Sequence, residues 1–175
     1  MASFRRRVVL TGSESTGKTT LAEPLARHYR TVWVPEFSRG YAEGKAEPLT
    51  ADDVEPIARG QLRLELQALE LGGDPVFFDT DLLSTLVYAR HYYSQSPRWI
   101  EDHLRAPHRR LYLLCETDVD WVADPVRDRG DEREAMQSLF RATLEEFGLL
   151  YRPVSGHGPV RLERAVAAID GWLAG

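Results

Sequence analysis

The chain contains no asparagine, a single cysteine and only two lysines among its 22 cationic residues. Without asparagine there is no Asn-Lys-x-Asp motif, so the guanine-reading element of small GTPases is excluded. With Cys115 as the lone cysteine, no disulfide closes within the chain and no cysteine-based zinc site can be built. That usage points to a reducing, cytoplasmic setting. No apolar run approaches the ~18 residues of a membrane span, and the N-terminus lacks a signal-peptide core. A net charge of −5 argues against a dedicated nucleic-acid binder, which would carry a basic face. The one basic run, Arg5-Arg6-Arg7, reads as a solvated entry into the first strand. His28, His91, His103, His108 and His157 show no metal-ligand spacing. No repeat or low-complexity stretch is present, and 175 residues suit one domain with a substantial core.

What is there begins with Val8-Val9-Leu10, followed by Thr11-Gly12-Ser13-Glu14-Ser15-Thr16-Gly17-Lys18-Thr19-Thr20. This is an apolar strand, then Gly-x4-Gly-Lys-Thr, then a helix start, the spacing of a phosphate-binding loop. Gly12 and Gly17 let the backbone turn so that successive N–H groups face one anion. Lys18 is expected to reach the β/γ-phosphates and the Thr19 hydroxyl to ligate Mg²⁺. The helix dipole adds to the attraction. A nucleoside triphosphate site over Gly12–Thr20 follows.

Five short apolar runs read as buried strands: Val8–Leu10, Val32–Val34, Val76–Phe78, Leu111–Cys115 and Leu149–Val154. Helical patterns separate them, which predicts a parallel sheet with helices on both faces. Helices are expected over Lys18–Tyr29, from Thr50 or Asp53 to Leu71, and over Leu82–Tyr92, Pro97–Leu104, Arg133–Phe147 and Val160–Leu173. Pro24 conflicts with the first of these. Gln61 and Glu65 fall on the inward stripe of the helix ending near Leu71, where a polar pair needs partners. Residues 116–133 are charge-rich and aperiodic, the pattern of a mobile lid.

Ligands of parallel sheets bind beyond the strands' carboxyl ends, so the residues there are the candidates. Val76-Phe77-Phe78-Asp79 has the Walker B form, and Asp79 is a candidate Mg²⁺ or catalytic acid. Asp81 reads as a helix N-cap or a substrate contact. Glu36 is the first choice of base for an attacking hydroxyl, with Asp79 the alternative. Arg39 and Tyr41 are placed in an acceptor pocket. Arg127 and Arg129, ahead of Arg133, are the lid arginines expected to spread charge from a transferring phosphoryl group. Trp33, Trp99, Trp121, Tyr88, Tyr92 and Tyr93 are candidates for stacking on a flat, cationic ring.

These segments, with Ile57-Ala58-Arg59-Gly60-Gln61 and Trp121-Val122-Ala123-Asp124 continuing to Arg127-Asp128-Arg129-Gly130, resemble the nicotinamide riboside kinase domain of NadR-type NAD-salvage proteins from about Val8 to Ile169. The resemblance implies a three-layer α/β/α P-loop NTPase fold of nucleoside-kinase type, built on a five-stranded parallel sheet. It also implies transfer of the ATP γ-phosphoryl to the ribose 5′-hydroxyl of nicotinamide riboside. On that reading Thr19 and Asp79 serve Mg²⁺, Arg127 and Arg129 close over the phosphates, and Gln61 touches the substrate ring. Multifunctional relatives carry a nucleotidyltransferase domain, and some a DNA-binding helix-turn-helix, ahead of the kinase. Met1 lies just before the first strand and no His-x-Gly-His pattern occurs, so neither activity is expected here. A kinase for another nucleoside or small metabolite, and an ATP-dependent switch or binding module, remain the alternatives.

Overall fold

The fold rests on five strands: β1 (Arg7–Thr11), β2 (Trp33–Val34), β3 (Val76–Asp79), β4 (Arg110–Cys115) and β5 (Tyr151–Val154). They form one sheet in the order β2-β3-β1-β4-β5, and every pairing is parallel. In this computed structural model residues 5–120 and 132–175 are described. β1 and β4 are buried along their whole lengths, as expected for strands covered on both faces.

The two faces carry separate apolar cores. Val9, Phe78, Tyr112 and Leu114 point to one side, where they pack with side chains of α3 (Val54–Leu71), α4 (Leu82–Tyr93), α5 (Arg98–Arg105) and α6 (Arg133–Glu146). Val8, Leu10, Phe77, Leu111 and Leu113 point to the other, against α1 (Lys18–His28) and α7 (Gly158–Leu173). The alternation is the two-residue period of a strand. Each large side chain so buried contributes about 1.5–3 kcal/mol relative to exposure. The result is the expected three-layer α/β/α arrangement.

Pro24 sits within α1 without ending it. It is half-buried, and Thr20, whose carbonyl loses its partner to the ring, is exposed and open to water. A capping box between Thr50 and Asp53 opens a single 3-10 turn, Ala51–Asp53, that leads into α3. One helix is missing from the sequence reading: α2 (Phe37–Glu43) buries no side chain, so it leaves no apolar stripe to read. No helix among the described residues is long and apolar enough to cross a membrane.

In the sheet order β2-β3-β1-β4-β5 the chain leaves β1 toward β2 on one side, and leaves the neighbouring β3 toward β4 on the other. The crevice that opens at such a switch point lies beyond the C-terminal end of β1, where the phosphate loop begins.

Candidate active site

The loop from Gly12 to Gly17 turns sharply between β1 and α1. Gly12 has φ 129°, and a Cβ there would lie 2.8 Å from the Cys115 carbonyl oxygen, so only glycine fits. Thr16 Oγ1 donates to Ser13 O (2.9 Å) and Thr20 Oγ1 to Gly17 O (2.9 Å), which brace the turn from within. Glu14 to Thr20 line a small cleft, while Gly12 and Ser13 lie buried beneath it. Lys18 Nζ is folded onto the loop itself, donating to Gly12 O (3.1 Å) and Ser13 O (2.7 Å).

Three side chains from the far helices grip this loop from behind. Gln137 on α6 accepts from Ser13 N (2.9 Å) and donates to Cys115 O (3.0 Å), which ties the loop to the end of β4. Arg133 donates to Ser15 O (2.9 Å) and Val119 O (2.7 Å). Arg161 on α7 donates to Thr16 O, Glu116 O, Gly156 O and Asp118 Oδ1, all within 3.1 Å. Gln137 and Arg161 escaped the sequence reading. Both lie on apolar stripes, Gln137 with Met136, Phe140 and Leu144, and Arg161 with Ala165 and Ile169. A polar residue on a buried stripe is the signal that did single out Gln61 and Glu65.

Asp79 ends β3 beside the loop and is 1% exposed; its Oδ2 accepts from Thr19 Oγ1 at 2.5 Å. This pair of oxygens is a donor set suited to a small, hard cation that keeps most of its other ligands as water or phosphate. Among the described residues no group of three or more His, Cys, Asp or Glu side chains is placed to hold a metal.

A larger cavity of about 780 Å³ opens next to the cleft. Its walls come from the segment after β2, the 46–50 segment, α3 and α4. Glu14 and Glu36 line both spaces, so the cavity and the phosphate cleft share a wall made of carboxylates. Ser38 Oγ donates to Glu36 Oε1 at 2.5 Å and holds it there. Tyr88, Tyr92 and Tyr93 line the α4 side, and the Tyr88 and Tyr92 rings stack 4° from parallel with centroids 6.0 Å apart. Tyr93 also donates to Leu49 O (3.0 Å), pinning the 46–50 segment over the cavity.

The remaining candidates divide. Gln61 lines the cavity. Arg39 does not; it lies at the phosphate cleft, because α2 turns it toward the loop. Tyr41 acts at one remove, donating to Asp53 (2.9 Å), whose carboxyl lines the cavity. Lys45, then the Thr50 N–H, holds that carboxyl well below the usual carboxylate range.

Of the two readings of Asp81 the N-cap holds and the substrate contact is corrected. Asp81 does not line the cavity: Oδ1 caps α4 by accepting from Leu83 N (3.0 Å), and Oδ2 accepts from Tyr112 Oη (2.7 Å) beside Arg110 (3.3 Å). The ring candidates need a correction too. Trp33 packs against the α1 core, and Trp99 donates to Glu55 under the Arg59 guanidinium, so neither faces the cavity. Trp121, Arg127 and Arg129 fall outside the described residues.

The AAA domain family matches residues 7–161. The trifunctional NAD biosynthesis/regulator protein NadR of Salmonella typhimurium is 30% identical over 149 residues, which is 82% of this chain and 36% of that protein. The chain therefore spans about a third of the length of this relative (36%). The crystal structure of a NadR protein in complex with NR superposes with a TM-score of 0.83 at 25% identity, over 98% of this chain and 52% of that one. A NadR protein in complex with NAD and AMP-PNP gives a TM-score of 0.79 at 25% identity, over 97% and 50%. With the phosphate loop, the sheet order and the family match over residues 7–161 in agreement, the chain belongs to the AAA domain family and has a P-loop NTPase fold.

Proposed function

We propose that the chain is an ATP-dependent kinase that phosphorylates the 5′-hydroxyl of nicotinamide riboside, yielding the mononucleotide. The observation that carries this reading is the shared wall: Glu36 borders both the phosphate cleft and the large cavity. A hydroxyl in the cavity thus meets a carboxylate on its way to a phosphate on the loop.

The steps follow from the residues. The loop N–H groups and the α1 N-terminus hold the triphosphate. Lys18 exchanges its loop carbonyls for phosphate oxygens. Glu36 takes the proton as the hydroxyl oxygen bonds to the γ-phosphorus, the bond from that phosphorus to the bridging oxygen breaks, and ADP leaves. Thr19 and Asp79 are the residues that would hold Mg²⁺, which neutralises phosphate charge when bound. Asp79 lines neither space and its Oδ2 accepts from Thr19 Oγ1, which favours Glu36 over it as the base.

The acceptor reading rests on charge and rings. The cavity wall carries the carboxylates of Glu14, Glu36 and Glu47, with that of Asp53 paired to Lys45, and no cationic side chain is among its described lining residues. Tyr88, Tyr92 and Tyr93 line the same cavity. A cationic pyridinium gains from both features, whereas a neutral base gains from the rings alone. The likeness to a NadR protein in complex with NR supports the same choice. The test is ADP release from Mg-ATP with and without nicotinamide riboside. Strong stimulation is expected; release that ignores every acceptor offered would contradict the kinase reading.

A further inference from the structure

Gln61 lies on α3, 2% exposed, between the two segments that carry the site's key acids. Its Oε1 accepts from the backbone N–H of Phe37, the residue after Glu36 (3.0 Å). Its Nε2 donates to the carbonyl of Thr80, the residue after Asp79 (3.4 Å), and to Glu65 Oε1 (3.3 Å). A backbone N–H can only donate and a carbonyl can only accept, so the partners fix which way the amide points. Glu65, also 2% exposed, completes the bracing from within the same helix.

Two further features serve this junction. At Gly60 a Cβ would lie 2.1 Å from the Phe37 ring, so the missing side chain lets that ring rest against the α3 backbone. Thr80 has φ 66°, a left-handed conformation that a β-branched residue resists. It is held there by its own N–H donating to Leu10 O (3.0 Å) and by its carbonyl accepting from Gln61. One side chain thus steadies the start of α2 and the strained turn after β3 together.

We propose that Gln61 is a positioning residue: by bridging Phe37 N and Thr80 O it sets the spacing between the Glu36 and Asp79 carboxylates, with Glu65 as its brace and Gly60 as the seat for Phe37. This goes beyond contact with an acceptor. It rests on the kinase reading for its kinetic arm only. Attack in line with the leaving group tolerates little error, and a displacement of ~1 Å costs on the order of 100-fold in rate.

The test pairs Gln61→Met, which keeps length and volume but removes the bridge, with Gly60→Ala, which displaces Phe37 and leaves Gln61 intact. Amide hydrogen exchange at Phe37 is read first, on the free protein. Gln61→Met is expected to speed it about tenfold, the effect of one lost hydrogen bond. Kinetically, both variants are expected to lose roughly 100-fold in kcat, with KM for ATP and acceptor within about threefold. An unchanged Phe37 exchange rate overturns the proposal. So does a rise in acceptor KM at constant kcat, the signature of a contact residue. If Gln61→Met does not fold, Gly60→Ala decides by the same kcat and KM split, and unaltered kcat there overturns the proposal. Were the unmodified protein to show no acceptor-dependent turnover, the kinase reading would fail, and the exchange arm would still decide the role of Gln61.

Discussion

Asp79 Oδ2 accepts a hydrogen bond from Thr19 Oγ1 across 2.5 Å, joining the end of β3 to the first turn of α1. The register places Asp79 beside Leu10, just before the phosphate loop begins. The pair is therefore the place where a divalent cation would meet both the loop and the phosphates. Asp79→Asn is expected to lower kcat about 100-fold and to raise the Mg²⁺ concentration needed for half-maximal rate. A Mg²⁺ titration of turnover checks this. An unshifted Mg²⁺ requirement would remove Asp79 from the metal site.

Glu36 borders both spaces, and its role is separable from binding. Glu36→Gln keeps the shape and the contact with Ser38 but cannot take a proton. We expect kcat to fall about 10²–10⁴-fold while KM for ATP stays within about twofold. Steady-state kinetics over both substrates measures this. A variant with native kcat would pass the role of base to Asp79.

The grip of Arg161 on the loop predicts a combined loss of stability and nucleotide binding. Arg161→Met strands the carbonyls of Thr16, Glu116 and Gly156 and the Asp118 carboxylate. Arg161 is buried while Asp118 is exposed, so the loss is that of charged hydrogen bonds to carbonyls, about 1.5–3 kcal/mol. For a chain of this size that is a drop of roughly 3–12 °C in Tm. Differential scanning calorimetry with and without ATP reads both effects: a lowered Tm and a smaller stabilising shift on adding nucleotide. A native Tm would show that the grip is not structural.

How much of this was legible in the sequence follows from how local each signal is. The phosphate loop, the central strands β1, β3 and β4 and the Thr50–Asp53 cap are written within a few residues, and the structure places each as expected, whereas the edge strands β2 and β5 are shorter than their apolar runs and β5 buries only Val154. The inward pair Gln61 and Glu65 was legible too, because two polar residues interrupt an apolar stripe. Asp81 was legible as the N-cap of α4 but not as the partner of Tyr112 and Arg110, which lie on β4 and reach it only through the fold. Arg39 was misplaced because α2, which turns it, buries nothing and so leaves no pattern.

Stability should depend on pH in opposite directions on the two sides of neutrality. His103 and His108 lie beside Arg110, and burial first, then that guanidinium, pushes both down to about 4. The unfolded chain then binds more protons between pH 6.5 and 4, so stability falls as pH drops through that window. Glu65 acts in reverse. Burial first, then the Asp81 charge, pushes its carboxyl up to about 8 from 4.5, so stability falls as pH rises through that range. Two histidines outweigh one carboxyl below 6.5, and above it the carboxyl acts alone. Urea midpoints are therefore expected to peak near pH 6.5. Glu65→Gln should flatten the alkaline decline. A midpoint that climbs steadily from about pH 5 to about pH 9 would contradict this balance.

The most direct measurement is of product, by mass, when the purified protein turns over Mg-ATP with nicotinamide riboside in competition with a panel of ordinary nucleosides. The carboxylate-lined, tyrosine-walled cavity predicts nicotinamide mononucleotide as the dominant product, with kcat/KM for the cationic riboside at least about 100-fold above any neutral nucleoside. Equal or greater phosphorylation of a neutral nucleoside would contradict the account of the acceptor.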